Sequence, residues 1–241
     1  MQKPAQARIQ PMRALRALGR LLRDPNDTEQ VFEIIGALGA RAMRRKVADL
    51  EQTQQGRALL SDRPSLMAAL ATSRAEDFAP DTLGAHYHAF LRREGITTDG
   101  LVAVSTASTE RLADDTLYLS ERGTQQHDLW HILTGYQGDI VGEMALLAFS
   151  APQTRNPGIM LIATTLYVVV AGRLGVRALM REAYRRGKRA VDLQQVRWED
   201  ELHAPLPALR SALNVDAPPQ YLQVRAEDLG PKGLLGPMPT A

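Results

Sequence analysis

Residues 127–150 read HDLWHILTGYQGDIVGEMALLAFS, and two helical patterns joined by a glycine-rich turn lie inside that one stretch. On an α-helix at about 100° per residue, His127 and His131 lie about 40° apart and Asp128 falls within about 100° of His127, so all three side chains can face one point. Gly135, Gly138 and Gly142 follow, letting the chain turn and bring a second helix back beside the first. On that second segment Glu143 is the single charge among apolar neighbours from Ile140 to Phe149. A carboxylate there needs a partner, and a divalent cation removes the penalty of burying it. The pattern HDxxH(x11)E thus offers His127, Asp128, His131 and Glu143 as metal ligands. Two imidazoles with one or two carboxylates suit zinc, with iron, cobalt or manganese as alternatives, and leave a position open for water or substrate.

Two other readings of the motif are weaker. A metalloprotease HExxH needs a general-base glutamate where this chain has Asp128, one carbon shorter. Phosphohydrolases with a His-Asp doublet use an upstream histidine and a downstream aspartate, which His86 or His88 and Asp192 could supply, but the link to His131 and Glu143 is foreign to that pattern. A histidine pair four apart is common on ordinary helix faces, and it is Glu143 that favours a metal.

The chain has 241 residues, 44% of them apolar, enough to bury a large core. It contains no cysteine, which excludes disulfides, thiolate metal sites and cysteine nucleophiles. A net charge of +2 gives no argument for nucleic acid, while a pI near 9.0 suits a surface that meets anionic lipid.

Helical signals dominate. Asp24-Pro25-Asn26-Asp27-Thr28 provides a helix start ahead of Val31, Ile34, Ile35 and Leu38 at helical spacing. Further helices are expected around 64–72, 82–94, 109–135, 139–150, 157–185 and 193–213, with turns such as Asn156-Pro157-Gly158 and Ala204-Pro205 separating them. No alternating run is long enough for a substantial strand. The expectation is an all-α, single helical domain with an apolar tunnel or core and a metal site between two helices. Residues 24–216 form that domain, preceded by a basic amphipathic segment over 1–23 and followed by a Pro-rich extended tail over 217–241.

From Asn156 to Gly172 there are 17 uncharged residues bounded by Arg155 and Arg173, short of the roughly 20 that span a bilayer, so a buried wall of the core or of an apolar tunnel is expected. Arg173, Arg177, Arg181 and Arg185 then recur every four residues, joined by Arg186, Lys188 and Arg189 and opposed by Glu182. Such a stripe is by default a solvated face, and its place after an apolar helix also suits anionic lipid head groups. In the first 23 residues, with six Lys or Arg and no acid, Met12, Leu15, Leu18 and Leu22 stand against Arg13, Arg16, Arg20 and Arg23. That composition matches a mitochondrial transit peptide, but the segment runs straight into the helix start near Asp24, and a surface-lying helix fits better.

The same residues resemble the coenzyme Q (ubiquinone) biosynthesis protein 4 family, whose signature is the HDxxH(x11)E arrangement. Asp24-Pro25-Asn26-Asp27-Thr28, Gly56-Arg57-Ala58-Leu59-Leu60 with Arg63-Pro64, the stretch Thr82-Leu83-Gly84 to Tyr87 and Phe90-Leu91, Tyr118 with Arg122, and Arg197-Trp198-Glu199 look like its other blocks. The likeness spans roughly residues 20 to 215. The chain departs from the family's usual pattern at Gly123-Thr124-Gln125-Gln126 and in its longer Pro-rich tail. The resemblance implies metal-dependent decarboxylation at carbon 1 of a polyprenylated 4-hydroxybenzoate, with hydroxylation of that carbon in the oxidative version, and with Arg122 pairing the substrate carboxylate and Tyr118 beside it. The alternative is a non-catalytic prenyl-lipid-binding scaffold that organises the ubiquinone biosynthetic enzymes around a structural metal. Either way the expected partners are a polyprenylated phenol or quinone precursor, an anionic membrane surface, other ubiquinone biosynthesis enzymes and a second copy of the chain. The expected place is the cytoplasmic face of a bacterial inner membrane, or the matrix side of the mitochondrial inner membrane in a eukaryote.

Overall fold

A computed structural model describes residues 9–25, 27–95, 115–216, 219–229 and 232–236. Among these, α-helices, short 3-10 turns and one π-helical turn carry the regular structure, and the only β pairing is an isolated bridge between Thr82 and Pro205. The all-α expectation is met. The chain packs as two compact units, Met1–Arg45 with Asp139–Lys188 and Gln220–Ala241, and Lys46–Gly138 with Arg189–Pro219.

In the first unit, α1 (Pro11–Leu21) starts on a proline, which lacks the N–H that a helix start leaves unused. Its inner face is Ala14, Ala17, Leu18 and Leu21, so much of the apolar side expected at a lipid surface is spent inside the protein and Met12 and Leu15 remain outside. The second helix, α2 (Thr28–Glu51), begins two residues beyond Asn26, which lies outside the described residues. The eighth and ninth helices, α8 (Ile140–Thr154) and α9 (Pro157–Thr165), pack against each other. Asn156 turns the chain between them and caps α9, its Oδ1 accepting from Gly158 N at 2.8 Å. Gly158 is required there: a Cβ would stand 2.7 Å from Ile34 O of α2.

The expected helix over 157–185 is interrupted. A π turn, Leu166–Val170, follows α9, and α10 (Arg177–Arg189) begins after a bend at Gly175. Ile159, Ile162, Leu166 and Val170 are buried while Val168 is 61% exposed, so this segment is a one-sided wall. No helix among the described residues is long and apolar enough to cross a membrane. The basic stripe is partly absorbed. Arg173 donates to Leu234 O at 3.0 Å and to Gly236 O, Arg181 to the Tyr167 hydroxyl at 3.2 Å, Arg185 faces Glu182 at 3.6 Å, and Arg186 is buried.

The second unit holds α3 (Gln54–Asp62), α4 (Leu66–Thr72), α5 (Leu83–Glu94), α6 (Asp115–Gln125), α7 (His127–Thr134), α11 (Trp198–Glu201) and α12 (Leu206–Ala212). The expected helix over 109–135 is two: its residues 109–114 lie outside the described part, and Gln126 breaks the rest. Gln126 turns inward, where its Oε1 accepts from the buried Trp198 indole N–H at 3.0 Å. The expected helix over 193–213 splits at Pro205, which cannot continue α11 and instead starts α12. From α12, Arg210 reaches the last carbonyls of α7, donating to Leu133 O at 2.8 Å and Ile132 O at 2.9 Å. A cation there complements the negative end of the helix dipole.

Candidate metal centre

The site is built on α7 and on the first turn of α8. Gly135, at φ 80, ends α7, and its N–H bonds His131 O at 2.8 Å. Only a residue tolerant of the left-handed region closes a helix this way without strain. Gly138 is confined too, since a Cβ would come within 2.9 Å of the Glu94 carboxylate. Asp139 then caps α8, its Oδ1 accepting from Val141 N at 3.0 Å and Gly142 N at 3.3 Å, and Glu143 stands in the first turn.

Ligand atoms of His127, His131 and Glu143 lie within 4.8 Å of one another. His127 is exposed, Glu143 half-buried and His131 buried. The two imidazoles meet edge to face at 4.6 Å between centroids. His131 Nδ1 lies 3.0 Å from the carbonyl of Tyr136, which can only accept, so that nitrogen carries a hydrogen, and Nε2 is the one that offers a lone pair whenever the ring is neutral. Metal-ligating histidines are oriented in this manner. Phe90 of α5 stacks on the His131 ring at 5.5 Å with 25° between planes, holding it from the other side.

Asp128, the fourth expected ligand, is not among the converging atoms. Its Oδ1 lies 3.4 Å from His127 Nδ1, where the roughly 100° step along the helix carries it. In that place it can orient His127 as an outer carboxylate does. Tyr87 on α5 keeps its hydroxyl proton far above the usual range, first because it is buried and second because of the Asp128 charge.

Arg122 and Tyr118 are held by the protein itself. Arg122 is 2% exposed and forms a two-pronged pair with Glu199 at 2.6 and 2.9 Å, with a further bond to Val196 O at 2.9 Å. The Tyr118 hydroxyl donates to Pro64 O at 3.1 Å, and burial raises its pKa above the usual phenol value. The residues of the phosphohydrolase alternative are engaged elsewhere. Both carboxylate oxygens of Asp192 take the Lys46 ammonium at 2.6 Å, and His88 Nε2 meets Ser73 Oγ at 3.0 Å. Tyr136 and Phe90 are the parts of the site that sequence reasoning missed. A backbone carbonyl has no sequence signal, and Phe90 stood out only as part of a family-like block, with nothing to tie it to His131.

Residues 9–219 match the family model of the coenzyme Q (ubiquinone) biosynthesis protein Coq4. The chain belongs to the Coq4 family. It is similar to the mitochondrial ubiquinone biosynthesis protein COQ4 of Pyricularia oryzae, 32% identical over 176 residues covering 72% of this chain and 57% of that one. The corresponding protein of Pyrenophora tritici-repentis is 33% identical over 178 residues, 70% of this chain and 58% of the relative. The mitochondrial COQ4 homolog of Rattus norvegicus is 26% identical over 213 residues, 86% and 78% of the two chains. This chain therefore spans less than two thirds of the fungal relatives' length. A Nostoc punctiforme PCC 73102 protein provisionally assigned to ubiquinone biosynthesis, solved at 2.85 Å, shares the fold with a TM-score of 0.63. That likeness covers 87% of this chain and all of the other at 20% identity.

In this Coq4 family chain the donor set fits a divalent ion. All three converging groups are electron-pair donors, one imidazole has its tautomer set by a carbonyl, and the exposure of His127 leaves one side open.

Proposed function

We propose that this protein acts in ubiquinone biosynthesis as a metal-dependent decarboxylase at carbon 1 of a polyprenylated 4-hydroxybenzoate, a proton replacing the departing carboxyl group, or, in the oxidative version, a hydroxyl group replacing it with molecular oxygen as the oxidant. The observation that carries this reading is the convergence of His127, His131 and Glu143 with His131 Nδ1 committed to Tyr136 O. His127, His131 and Glu143 would hold zinc, or iron, cobalt or manganese, and Asp128 would orient His127. When bound, such an ion supplies a Lewis acid that draws negative charge from the phenolate or carboxylate as the bond to carbon 1 breaks and carbon dioxide leaves. Phe90 and the Tyr136 carbonyl keep the His131 ring from turning away, so the site is preorganised. Arg122 and Tyr118 support it by fixing α6, immediately before the motif, rather than by touching substrate.

A second reading gains from that commitment of Arg122. With the expected carboxylate partner bound to Glu199, a non-catalytic prenyl-lipid-binding scaffold with a structural metal stays in view. Three converging ligands and an exposed His127 argue for a site with an open position, which favours catalysis. In either case the prenylated intermediate, other ubiquinone biosynthesis enzymes and a second copy of the chain are its partners. A membrane contact is supported by Val168 and Val169, exposed beside Arg177 and Arg181, whose side chains bond Val168 O and the Tyr167 hydroxyl. The inner-membrane surface, bacterial or mitochondrial, is its proposed place.

The test is elemental analysis of wild type and His131→Ala together with turnover of a carboxylated prenyl-phenol. One equivalent of metal and measurable carbon dioxide release in the wild type, both lost in a folded variant, is the expected result. Unchanged turnover in folded His131→Ala overturns the metal chemistry. A metal without turnover selects the scaffold.

A further inference from the structure

The Pro-rich tail reads from sequence as an extended arm, yet its described part is gripped at three places in the first unit. Asp139, only 1% exposed, receives two donors from it: the Tyr221 hydroxyl at 2.8 Å on Oδ2 and Val224 N at 3.1 Å on Oδ1. Ile140 N, one of the amides that a helix start leaves unbonded, donates to Val224 O at 2.8 Å. Farther along, Arg173 holds the carbonyls of Leu234 and Gly236, and Gly233, at φ 52, lies so near Arg23 O that a Cβ would stand 2.2 Å from it. The first of these grips is on the helix turn that carries Glu143, whose own N–H bonds Asp139 O at 2.8 Å.

We propose that residues 220–225 are a positioning strap for the metal centre: by completing the cap at Asp139 they hold the first turn of α8 and so keep the Glu143 carboxylate in place. This rests on the metal-binding reading of His127, His131 and Glu143. The Asp139 carboxylate is satisfied by four donors, two from α8 and two from the strap. Without the strap, a buried carboxylate loses half its donors and Ile140 N loses its acceptor, so the helix end frays. A ligand on a frayed turn must be ordered anew each time an ion binds, which weakens affinity much as losing an outer-shell partner does, by roughly 10- to 100-fold. Tyr221 and Val224 are positioning residues, since neither stands among the converging ligand atoms.

The experiment uses the full chain with zinc as the probe, titrated against a chromophoric chelator, and hydrogen exchange of the α8 first turn in metal-free protein. Tyr221→Phe removes one donor and keeps the ring; Val224→Pro removes the N–H. Faster exchange at residues 140–143 in both, with zinc affinity down severalfold in Tyr221→Phe and about 10- to 100-fold in Val224→Pro, is expected. His131→Ala should abolish zinc binding and leave that exchange unchanged. Unaltered exchange in Val224→Pro, or faster exchange with unaltered zinc affinity in both variants, overturns the strap. Wild type that binds no zinc overturns the metal reading and the strap's role with it, an outcome distinct from a zinc-binding wild type matched by its variants.

Discussion

Two polar clusters lie five residues apart along the chain and are built on opposite logic. At Arg122 the two terminal nitrogens of a buried guanidinium are answered by Glu199, Val196 O and Pro64 O, so positive charge meets negative charge and acceptors. At His127, His131 and Glu143 three groups that can each offer an electron pair converge, with no buried guanidinium or ammonium among the converging atoms. A cluster whose charges cancel holds a fold together; a cluster of acceptors calls for a cation. The difference shows why Arg122, which sequence proximity suggests as a catalytic group, is better read as a support for the helix that leads to the motif.

The sharpest way to break this comparison is to remove Arg122. Arg122→Ala should destabilise the protein by about 3–5 kcal/mol in urea unfolding, because Glu199 would be left with a mostly buried charge and no partner. The double variant Arg122→Met, Glu199→Leu should recover most of that loss, since two apolar groups of similar size need no pairing. If Arg122→Ala instead unfolds like wild type and loses only turnover, the guanidinium belongs to the substrate after all.

Next in size, His131→Ala should cost the metal-free protein less than Arg122→Ala, because no buried ion pair like that of Arg122 with Glu199 is broken. In metal-loaded protein the same substitution should remove the stabilisation that a bound ligand confers, about 2.7 kcal/mol at a hundredfold excess of metal over the dissociation constant. Thermal unfolding with and without chelator separates the two. Equal melting of wild type with and without metal would place this cluster in the same structural class as Arg122.

Helix content, the turn at Gly135 to Gly138 and the three converging residues of the candidate metal centre were legible in the sequence because each follows from spacing along one helix or one turn. The partners of buried side chains were not. Arg197-Trp198-Glu199 stood out as a block, but that Arg197 would pair Asp62 at 2.6 Å, Trp198 bond Gln126 and Glu199 bond Arg122 depends on long-range packing that no local pattern encodes. The contacts of the tail were hidden for a related reason: its five prolines say nothing about whether its backbone is bonded to something else.

Trp198 offers a smaller test of the structural side. Trp198→Phe leaves the buried Gln126 Oε1 without its indole donor and opens a small void, so a loss of about 1–3 kcal/mol is expected in urea unfolding. Adding Gln126→Leu should return part of it by removing the stranded acceptor. Zinc affinity should fall far less than in His131→Ala, because the indole holds Gln126 at the start of α7 and touches no converging ligand atom.

The smallest effect concerns His88, which separates a histidine engaged in packing from the pair in the candidate metal centre. His88 is buried against Phe78 and Tyr87, and its pKa is pushed down by that burial and then by the Arg92 charge, with Asp77 and Glu76 pulling the other way. Ser73 Oγ donates to Leu70 O at 2.8 Å, so it accepts from His88 Nε2, and the neutral ring closes the end of α4. In the unfolded chain the imidazole titrates near its ordinary value of about 6.5. The unfolded state therefore binds the proton first, and folding stability should fall as pH drops through about 6.5 toward the lowered native value. His88→Gln removes that contribution, so the stability difference between wild type and variant should shrink on acidification in metal-free protein. A difference that stays flat from neutral pH to pH 5 would mean the folded protein tolerates the charged ring, and the contrast between His88 and His131 would then rest on geometry alone.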